Sequence, residues 1–217
     1  MGQHQVTDPR SFRVLFVCTG NICRSPFAEI LTRHLLIGRI GGQGAAPFDV
    51  SSAGIQAVIG SKMHPDSREQ LRPWRLDGAA ADRFVARQLH PTMVEKADLV
   101  LGATPRHRSV IITQTPGALA TTFSIREFAR LAGTVDLSAL PIEPVVRAGM
   151  LVDLTRRNRA MSHRPGRNDD DIPDPMGHPP RAHRDAALLI GTAVQVIVDV
   201  LAPSGHRCGR PPVTPRP

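Results

Sequence analysis

A buried strand, a short loop and a helix start follow one another closely near the beginning of the chain. The run Val14–Val17 is continuously apolar, which suits a strand covered on both faces of a parallel sheet. The segment Thr19–Arg24 is short and contains Gly20. Ser25 and Pro26 then predict a helix start, because serine is a good N-cap and proline fits the first helical position. This order is typical of α/β proteins.

The rest of the chain continues the alternation of strands and helices. Apolar runs predict further strands at residues 48–52, 97–103 and 121–125, and helical patterns occur at 65–71, 105–114, 126–131 and 181–201. Strands that alternate with helices favour a parallel sheet with helices on both faces. The sequence therefore predicts an α/β fold.

The domain organisation follows from length and local composition. A chain of 217 residues suits one domain with appendages. We expect residues 12–202 to form this domain and residues 1–11 to be flexible. Within it, 135–167 are predicted to be an inserted helical segment, with a helix over 145–161. The tail 203–217 is rich in proline, glycine and arginine, and it is predicted to be disordered.

Composition and cysteine usage indicate the compartment. Hydrophobic residues make up 41% of the chain, which is ordinary for a globular protein. Its three cysteines do not form the pattern of a disulfide framework, and the polar start carries no secretion signal. The longest apolar run, at residues 186–202, includes Gln195 and Asp199, which favours a packed helix over a membrane span. We expect a cytoplasmic protein without a membrane partner.

The charge balance bears on partners and cofactors. A formal net charge of +8 is compatible with an ordinary basic surface or with a site for anionic substrates or acidic partners. The arginines are dispersed and are not interleaved with aromatic residues, which argues against a nucleic-acid surface. His163, His178 and His183 have no spacing that suits a standard set of metal ligands. We therefore expect neither a nucleic-acid partner nor a metal or other cofactor.

The loop after the first strand carries the clearest chemistry. Five residues separate Cys18 from Arg24, and a loop of that length can curl so that its N–H groups point inward. Such a nest before a helix N-terminus binds a tetrahedral oxyanion. Arg24 can add a bidentate grip on the anion, and the same positive field favours the thiolate of Cys18. The thiolate could then attack a phosphorus atom in line. The alternative is a buried cysteine at a strand end followed by a surface arginine.

Several segments resemble one known family. They are the loop Cys18–Pro26, the triplet Ser52–Gly54, the segments Ala86–Leu89 and Ala97–Leu101, and the pair Asp174–Pro175. Together they are similar to the low-molecular-weight protein-tyrosine-phosphatases, and the resemblance covers most of residues 13–201. It implies a three-layer αβα fold with a four-stranded parallel sheet, doubly wound as in flavodoxin.

The resemblance also implies roles for the residues of the loop. Cys18 is the expected nucleophile and Arg24 the expected phosphate ligand. The expected phosphate-binding loop comprises Thr19, Gly20, Asn21, Ile22, Cys23 and Ser25. Within it, Asn21 is expected to hold a strained backbone with Ser52 as a partner, and Ser25 to donate a hydrogen bond to the Cys18 sulfur. Cys23 corresponds to a second cysteine that can trap oxidised Cys18 as a disulfide.

A general acid is needed to protonate the leaving oxygen, and the same group can later activate water. Asp174 lies at the position of the family's acid, before Pro175 and close to Gly177. Its rivals are the consecutive acids Asp169, Asp170 and Asp171. We expect that run to be a solvated loop.

The expected substrate pocket departs from the family pattern. Many relatives have an aromatic residue after the Asp-Pro pair and another on the loop after the second strand. Here these positions hold Met176 and Ala57, the latter beside Val58 and Ile59. Phe84 likewise stands where relatives often have a histidine that bonds to the loop asparagine. Both expected pocket walls, Ala57 and Met176, are therefore aliphatic.

The favoured function is hydrolysis of phosphotyrosine-type monoesters in a protein substrate, for which a bacterial tyrosine kinase is one candidate by resemblance. Phosphoarginine hydrolysis is an alternative, although Ile22 is bulkier than the residue of relatives with that activity and should crowd a guanidinium. An arsenate reductase would need two further downstream cysteines, and the sequence has Cys208 alone. A phosphate-binding regulatory module without catalysis is a further alternative.

Overall fold

A parallel sheet forms the centre of the molecule. The computed structural model describes residues 11–161 and 170–203. In this part of the chain, four strands form one sheet in the order β2-β1-β3-β4. Their bounds are Phe12–Cys18 for β1, Phe48–Gly54 for β2, Leu99–Gly102 for β3 and Thr122–Ser124 for β4. All pairings are parallel, so the carboxyl ends of the strands meet at one edge.

Helices connect and cover the strands. The described α-helices are α1 Arg24–Ala45, α2 Pro65–Glu69, α3 Ala79–Asp82, α4 Pro91–Lys96, α5 Pro105–Gln114, α6 Ile125–Ala132, α7 Pro144–Met161 and α8 Pro180–Leu201. Short 3₁₀ helices occur at Arg72–Trp74, Pro116–Ala120 and Leu137–Ala139. None of the helices in residues 11–161 and 170–203 has the length and apolarity to cross a membrane.

Strand β1 divides the core into two layers. Its side chains alternate in direction, so Phe16 packs with the residues of α1, α6 and α8. Leu15 and Val17 point to the other face and pack with a smaller cluster that includes Ile111 of α5. This double burial explains the continuous apolar run at Val14–Val17. The prediction of a three-layer fold with a four-stranded parallel sheet is confirmed.

Helix α7 lies within the predicted insert and is anchored at both ends. Near its start, the buried Arg147 donates from Nε to the carbonyl of Val200 at 2.6 Å, close to the end of α8. Near its end, Arg159 pairs with Glu127 at 2.9 Å and lies over the ring of Phe123, 3.5 Å from the centroid. These contacts bind α7 to α6, α8 and β4.

Two local predictions differ from the structure. Helix α1 begins at Arg24, with Cys23 as its N-cap, and no side chain caps it. The prediction that Ser25 is the N-cap is therefore wrong, because the Ser25 hydroxyl contacts other side chains of the loop instead. The helix predicted at 65–71 ends at Glu69 and is followed by a 3₁₀ turn. Of the predicted flexible segment 1–11 and the predicted tail 203–217, all but residues 11 and 203 lie outside the described residues.

Candidate active site

The loop between β1 and α1 lies at the carboxyl edge of the sheet. Strand β1 has β2 on one side and β3 on the other, so this edge is a point where the strand order reverses. Crevices at such points are the usual ligand sites of open α/β sheets. The N-terminus of α1, which carries partial positive charge, faces the same loop. The topology therefore places the predicted oxyanion loop where a ligand can reach it.

Asn21 holds the loop in an unusual backbone conformation. It is fully buried and has a φ of 55°, in the left-handed region that few residues adopt. Its Nδ2 donates to the hydroxyls of Ser25 and Ser52, each at 2.9 Å, and its Oδ1 accepts from the backbone N–H of Arg87 at 2.9 Å. The structure thus contains the expected Asn21–Ser52 contact. The backbone N–H of Arg87 therefore donates to Asn21, while Phe84 stands where relatives often have a histidine that bonds to this asparagine.

The Cys18 sulfur is buried beneath the loop and has a hydroxyl beside it. Its Sγ lies 2.9 Å from the Ser25 Oγ. Ser25 accepts a hydrogen bond from Asn21, and its own proton can be donated to the sulfur or, at 3.5 Å, to the carbonyl of Ala53. A donor in this position stabilises a thiolate more than a thiol. The contact expected between Ser25 and Cys18 is therefore present, and the Ser25 hydroxyl is its donor when Cys18 is a thiolate.

The Arg24 guanidinium is buried and only partly satisfied. Its Nη1 donates to the carbonyl of Ile172 at 3.1 Å, and its Nη2 contacts the Thr19 hydroxyl at 3.4 Å and pairs with the Asp174 carboxylate. Its Nε has no hydrogen-bond partner among the residues that the structure describes. A buried donor without a partner is costly, so it indicates a place where an anion would bind.

Asp174 is brought to the loop by the segment before α8. Its carboxylate pairs with Arg24, and its Oδ1 accepts from the backbone N–H of Met176 at 3.2 Å. The side chain is 43% exposed, so water and a leaving group can reach it. The structure therefore places Asp174 and the Cys18–Arg24 loop together, although 150 residues separate Asp174 from Arg24.

The acids of the run Asp169–Asp171, which precedes Asp174, differ in their surroundings. Asp170 is buried and accepts from the Arg130 Nη2 at 2.9 Å, so the prediction of a solvated side chain is wrong for it. The reason is that Arg130 of α6 faces this segment, and its pair with Asp170 compensates for the burial of the carboxylate. Asp171 is exposed, as expected. Asp169 lies outside the described residues.

Asp170→Ala is expected to lower the free energy of unfolding by about 1.5–3 kcal/mol, the usual contribution of a hydrogen bond to a charged group. Denaturant unfolding checks this value, with Asp171→Ala as the exposed control. Equal stability of the two variants would show that the Asp170–Arg130 pair contributes nothing.

His107 is a site residue that the sequence analysis did not select. Its ring bridges two hydroxyls: Nε2 lies 3.1 Å from the Thr19 Oγ1, and Nδ1 lies 2.8 Å from the Thr104 Oγ1. Burial, with the nearby charge of Arg24, lowers the pKa of His107 to about 4, so the ring is neutral at pH 7.

The place of His107 depends on a glycine in β3. A Cβ at Gly102 would lie 3.0 Å from the Cβ of His107, so the glycine lets α5 approach β3 closely. In the sequence, the feature that could have indicated His107 is its place in the first helical turn after the third strand.

The loop after β2 supplies one side of the candidate pocket. Gly54, the last residue of β2, has to be a glycine, since a Cβ there would lie 2.5 Å from the carbonyl oxygen of Thr19. Val58 binds the loop through its N–H, which donates to the carbonyl of Gly20 at 3.0 Å, and its side chain is about half exposed. The predicted wall residue Ala57 is half-buried, and its N–H donates to the Gln88 side chain at 3.0 Å. Val58 is therefore the better candidate for the apolar wall.

Met176, the other predicted wall residue, is 44% exposed, and its backbone N–H donates to the Asp174 carboxylate. Ile22 is 9% exposed and belongs to the hydrophobic core. A Cβ at Gly20 would lie 3.5 Å from the Ile22 Cγ1 and 3.6 Å from the Val58 Cγ2. The loop glycine therefore packs between two aliphatic side chains, of which Val58 is the more exposed.

Comparisons with known proteins agree with this geometry. Residues 13–139 match the family model described as low molecular weight phosphotyrosine protein phosphatase. A protein-arginine-phosphatase of Geobacillus stearothermophilus is 27% identical over 190 residues, which are 88% of this chain and 96% of the relative. A probable low molecular weight protein-tyrosine-phosphatase, EpsP, of Ralstonia solanacearum is 32% identical over 114 residues, or 52% of this chain and 70% of the relative.

Solved structures give the same result. The YwlE arginine phosphatase from Geobacillus stearothermophilus superposes with a TM-score of 0.59 at 27% identity, over 87% of this chain and 91% of that chain. The matched family model covers more than half of the sequence, including β1, the loop and α1. The chain therefore belongs to the low molecular weight phosphotyrosine protein phosphatase family, and it is a phosphatase.

Proposed function

We propose that this phosphatase hydrolyses phosphotyrosine monoesters through a phosphocysteine intermediate. The observation that carries the proposal is the buried Cys18 sulfur beside the Ser25 hydroxyl, under a loop that ends in the partly unpartnered Arg24. A phosphoryl group in the loop would meet backbone N–H groups, the α1 N-terminus and the guanidinium. Arg24 would exchange its pair with Asp174 for two phosphoryl oxygens.

The first chemical step uses two residues in named roles. The Cys18 thiolate attacks the phosphorus in line, a sulfur–phosphorus bond forms, and the bond from phosphorus to the tyrosyl oxygen breaks. Asp174 gives its proton to that oxygen as it leaves. The position of Asp174 beside Arg24 supports this role, because a phosphoryl group that takes over the guanidinium would release the carboxyl group next to the leaving oxygen.

In the second step, Asp174 acts as a base and Cys18 is the leaving group. The Asp174 carboxylate takes a proton from water, the water oxygen bonds to phosphorus, and the sulfur–phosphorus bond breaks. The Ser25 hydroxyl donates to the sulfur as negative charge returns to it, which makes Cys18 a better leaving group. Phosphate then leaves the loop.

The loop composition favours an aryl ester over a phosphorylated guanidinium. Ile22 and Val58 border Gly20 with aliphatic side chains. Ile22 is bulkier than the residue expected for phosphoarginine hydrolysis, and an aromatic ring gains more from an apolar wall than a charged guanidinium does. The second candidate is nevertheless phosphoarginine hydrolysis, because relatives named protein-arginine-phosphatases match this chain.

An activity profile separates these two functions. We expect kcat/KM to be highest for phosphotyrosine peptides when they are compared with phosphoserine and phosphoarginine peptides of the same sequence. Ile22→Val should raise the ratio of phosphoarginine to phosphotyrosine turnover by about 10-fold or more, the usual effect of one methylene in a pocket. Leu36→Val, in the core far from the loop, is the matched control. A preference of the wild-type enzyme for phosphoarginine would replace the first proposal by the second.

The two buried cysteines of the described chain give a redox prediction. Peroxide should oxidise Cys18 to a sulfenic acid, which Cys23 then attacks to form a disulfide with release of water. Burial raises the pKa of Cys23 to about 11, so Cys23 is mostly a thiol at pH 7, and its small reactive thiolate fraction grows as the pH rises to 9. We expect the fraction of activity that a thiol restores to increase over this range, and to fall in Cys23→Ser. Mass spectrometry that detects only sulfinic or sulfonic acid on wild-type Cys18 would contradict this prediction.

The proposal extends to substrate and compartment. A phosphoprotein is the substrate class that relatives such as EpsP support, and a bacterial tyrosine kinase is the specific partner that we propose. We place the enzyme in the cytoplasm, since both cysteines of the described chain are free thiols and the proposed nucleophile needs a reducing compartment.

A further inference from the structure

Three potential metal ligands from separate parts of the chain meet behind the phosphate-binding loop. The Cys23 Sγ, a ring nitrogen of His64 and a ring nitrogen of His183 all lie within 4.8 Å of one another. Cys23 ends the loop, His64 caps α2, and His183 lies in the first turn of α8. The two imidazole rings are stacked, with centroids 4.4 Å apart and planes at 18°. No local spacing in the sequence indicates this cluster.

The cluster is largely closed to water and is held in place by its neighbours. Cys23 and His183 are 4% and 2% exposed, and His64 is half-buried. The Ser67 hydroxyl lies 2.8 Å from the His183 Nδ1, which orients that ring as an outer-shell partner would. The Asp66 Oδ2 lies 4.0 Å from the His64 Nδ1 and 3.9 Å from the His183 Nε2. A carboxylate therefore lies beside both rings, and rotation of its side chain toward the Cys23 sulfur would let it complete a ligand set.

The separations suit a tetrahedral ion. Sulfur, nitrogen and oxygen ligands bind Zn²⁺ at about 2.0–2.3 Å, so they lie about 3.3–3.8 Å from one another around it. Small side-chain rotations would bring the cluster to these distances. Beside it is a cavity of about 10 Å³, lined in part by Cys23, Ser67, Pro175 and His183. That volume holds about one water-sized group.

We propose that Cys23, His64 and His183 bind one Zn²⁺ ion, with Asp66 in the fourth position. Thiolate and imidazole together select an ion of this class over Mg²⁺ or Ca²⁺. On binding, the thiol proton of Cys23 passes to solvent and a sulfur–zinc bond forms. The ion links the end of the phosphate-binding loop to α2 and α8. While it is bound, Cys23 cannot form the disulfide with Cys18 that is predicted above, so that prediction applies to the zinc-free protein. This site does not depend on the proposed substrate.

Cobalt provides the test, because a bound thiolate gives Co²⁺ a charge-transfer absorption that water and imidazole do not. The full chain carries Cys18→Ser and Cys208→Ser, so Cys23 is its single thiol. We expect absorption that saturates at one Co²⁺ per chain and is displaced by Zn²⁺. His64→Gln should weaken the affinity by about 10–100-fold or more. His178→Gln, an exposed histidine outside the cluster, should leave it unchanged.

Two results would overturn the site. One is the absence of charge-transfer absorption in the single-thiol chain, and the other is an affinity that His64→Gln does not change although the variant melts as the parent does. X-ray absorption of the zinc-loaded single-thiol chain is an independent measurement that needs no further variant. It should show one sulfur at about 2.3 Å with lighter ligands at about 2.0–2.1 Å. A shell without sulfur would refute the proposal.

Discussion

Cys18→Ser is expected to abolish turnover while leaving the protein able to bind oxyanions. A serine hydroxyl is a weak nucleophile unless a base removes its proton, and the neighbouring Ser25 hydroxyl is placed to donate a proton. We expect kcat to fall by about 10⁴–10⁶-fold, the scale of removing a covalent nucleophile. The loop conformation depends on Asn21, Ser52 and Arg87, so it should survive the change.

The measurement pairs turnover of an aryl phosphate with binding of vanadate or phosphate. In Cys18→Ser, binding of phosphate should remain within about 10-fold of wild type, because Arg24 and the backbone N–H groups are intact. The matched variant Arg24→Lys should instead bind phosphate weakly. A point charge cannot replace the planar guanidinium, which also reaches the Ile172 carbonyl. Appreciable turnover by Cys18→Ser would refute the covalent mechanism.

Asp174→Asn is expected to affect poor leaving groups much more than good ones. A phenol with a pKa near 10, like tyrosine, needs a proton as it leaves, whereas a nitrophenol leaves far more easily. The loss of a positioned acid should therefore slow the release of phenol from phenyl phosphate in a single turnover by about 10²–10⁴-fold. On nitrophenyl phosphate the release of nitrophenol should slow clearly less. Single-turnover rates at saturating enzyme keep this effect separate from the lost pair with Arg24 and from the later hydrolysis of the phosphocysteine, in which Asp174 acts as a base.

Controls for this experiment come from the same segment. Asp171→Asn should be nearly silent, because that residue is exposed. Asp170 is unsuitable as a silent control, since it is buried against Arg130 and its replacement should affect stability. An equal loss on both substrates would mean that Asp174 shapes the segment and does not donate a proton. A larger loss at Asp171 would identify a different acid.

Local sequence determined the central part of this molecule. The apolar run of β1 and the short loop before α1 involve neighbours along the chain, so pattern and residue type were sufficient to predict them. The spacing between Cys18 and Arg24 is likewise a property of one loop. The alternation of elements was enough for the parallel sheet, because such sheets need a helical crossover between strands.

Tertiary structure decided the parts that depend on distant residues. Asp170 and Asp174 have similar sequence surroundings, yet one faces Arg130 and the other Arg24. His107 reaches Thr19 across 88 positions. In each case the environment is set by which helix packs beside the residue. A side chain's burial, charge partner and hydrogen bonds are determined by groups far away in the chain, and only the folded packing of the elements brings those groups together.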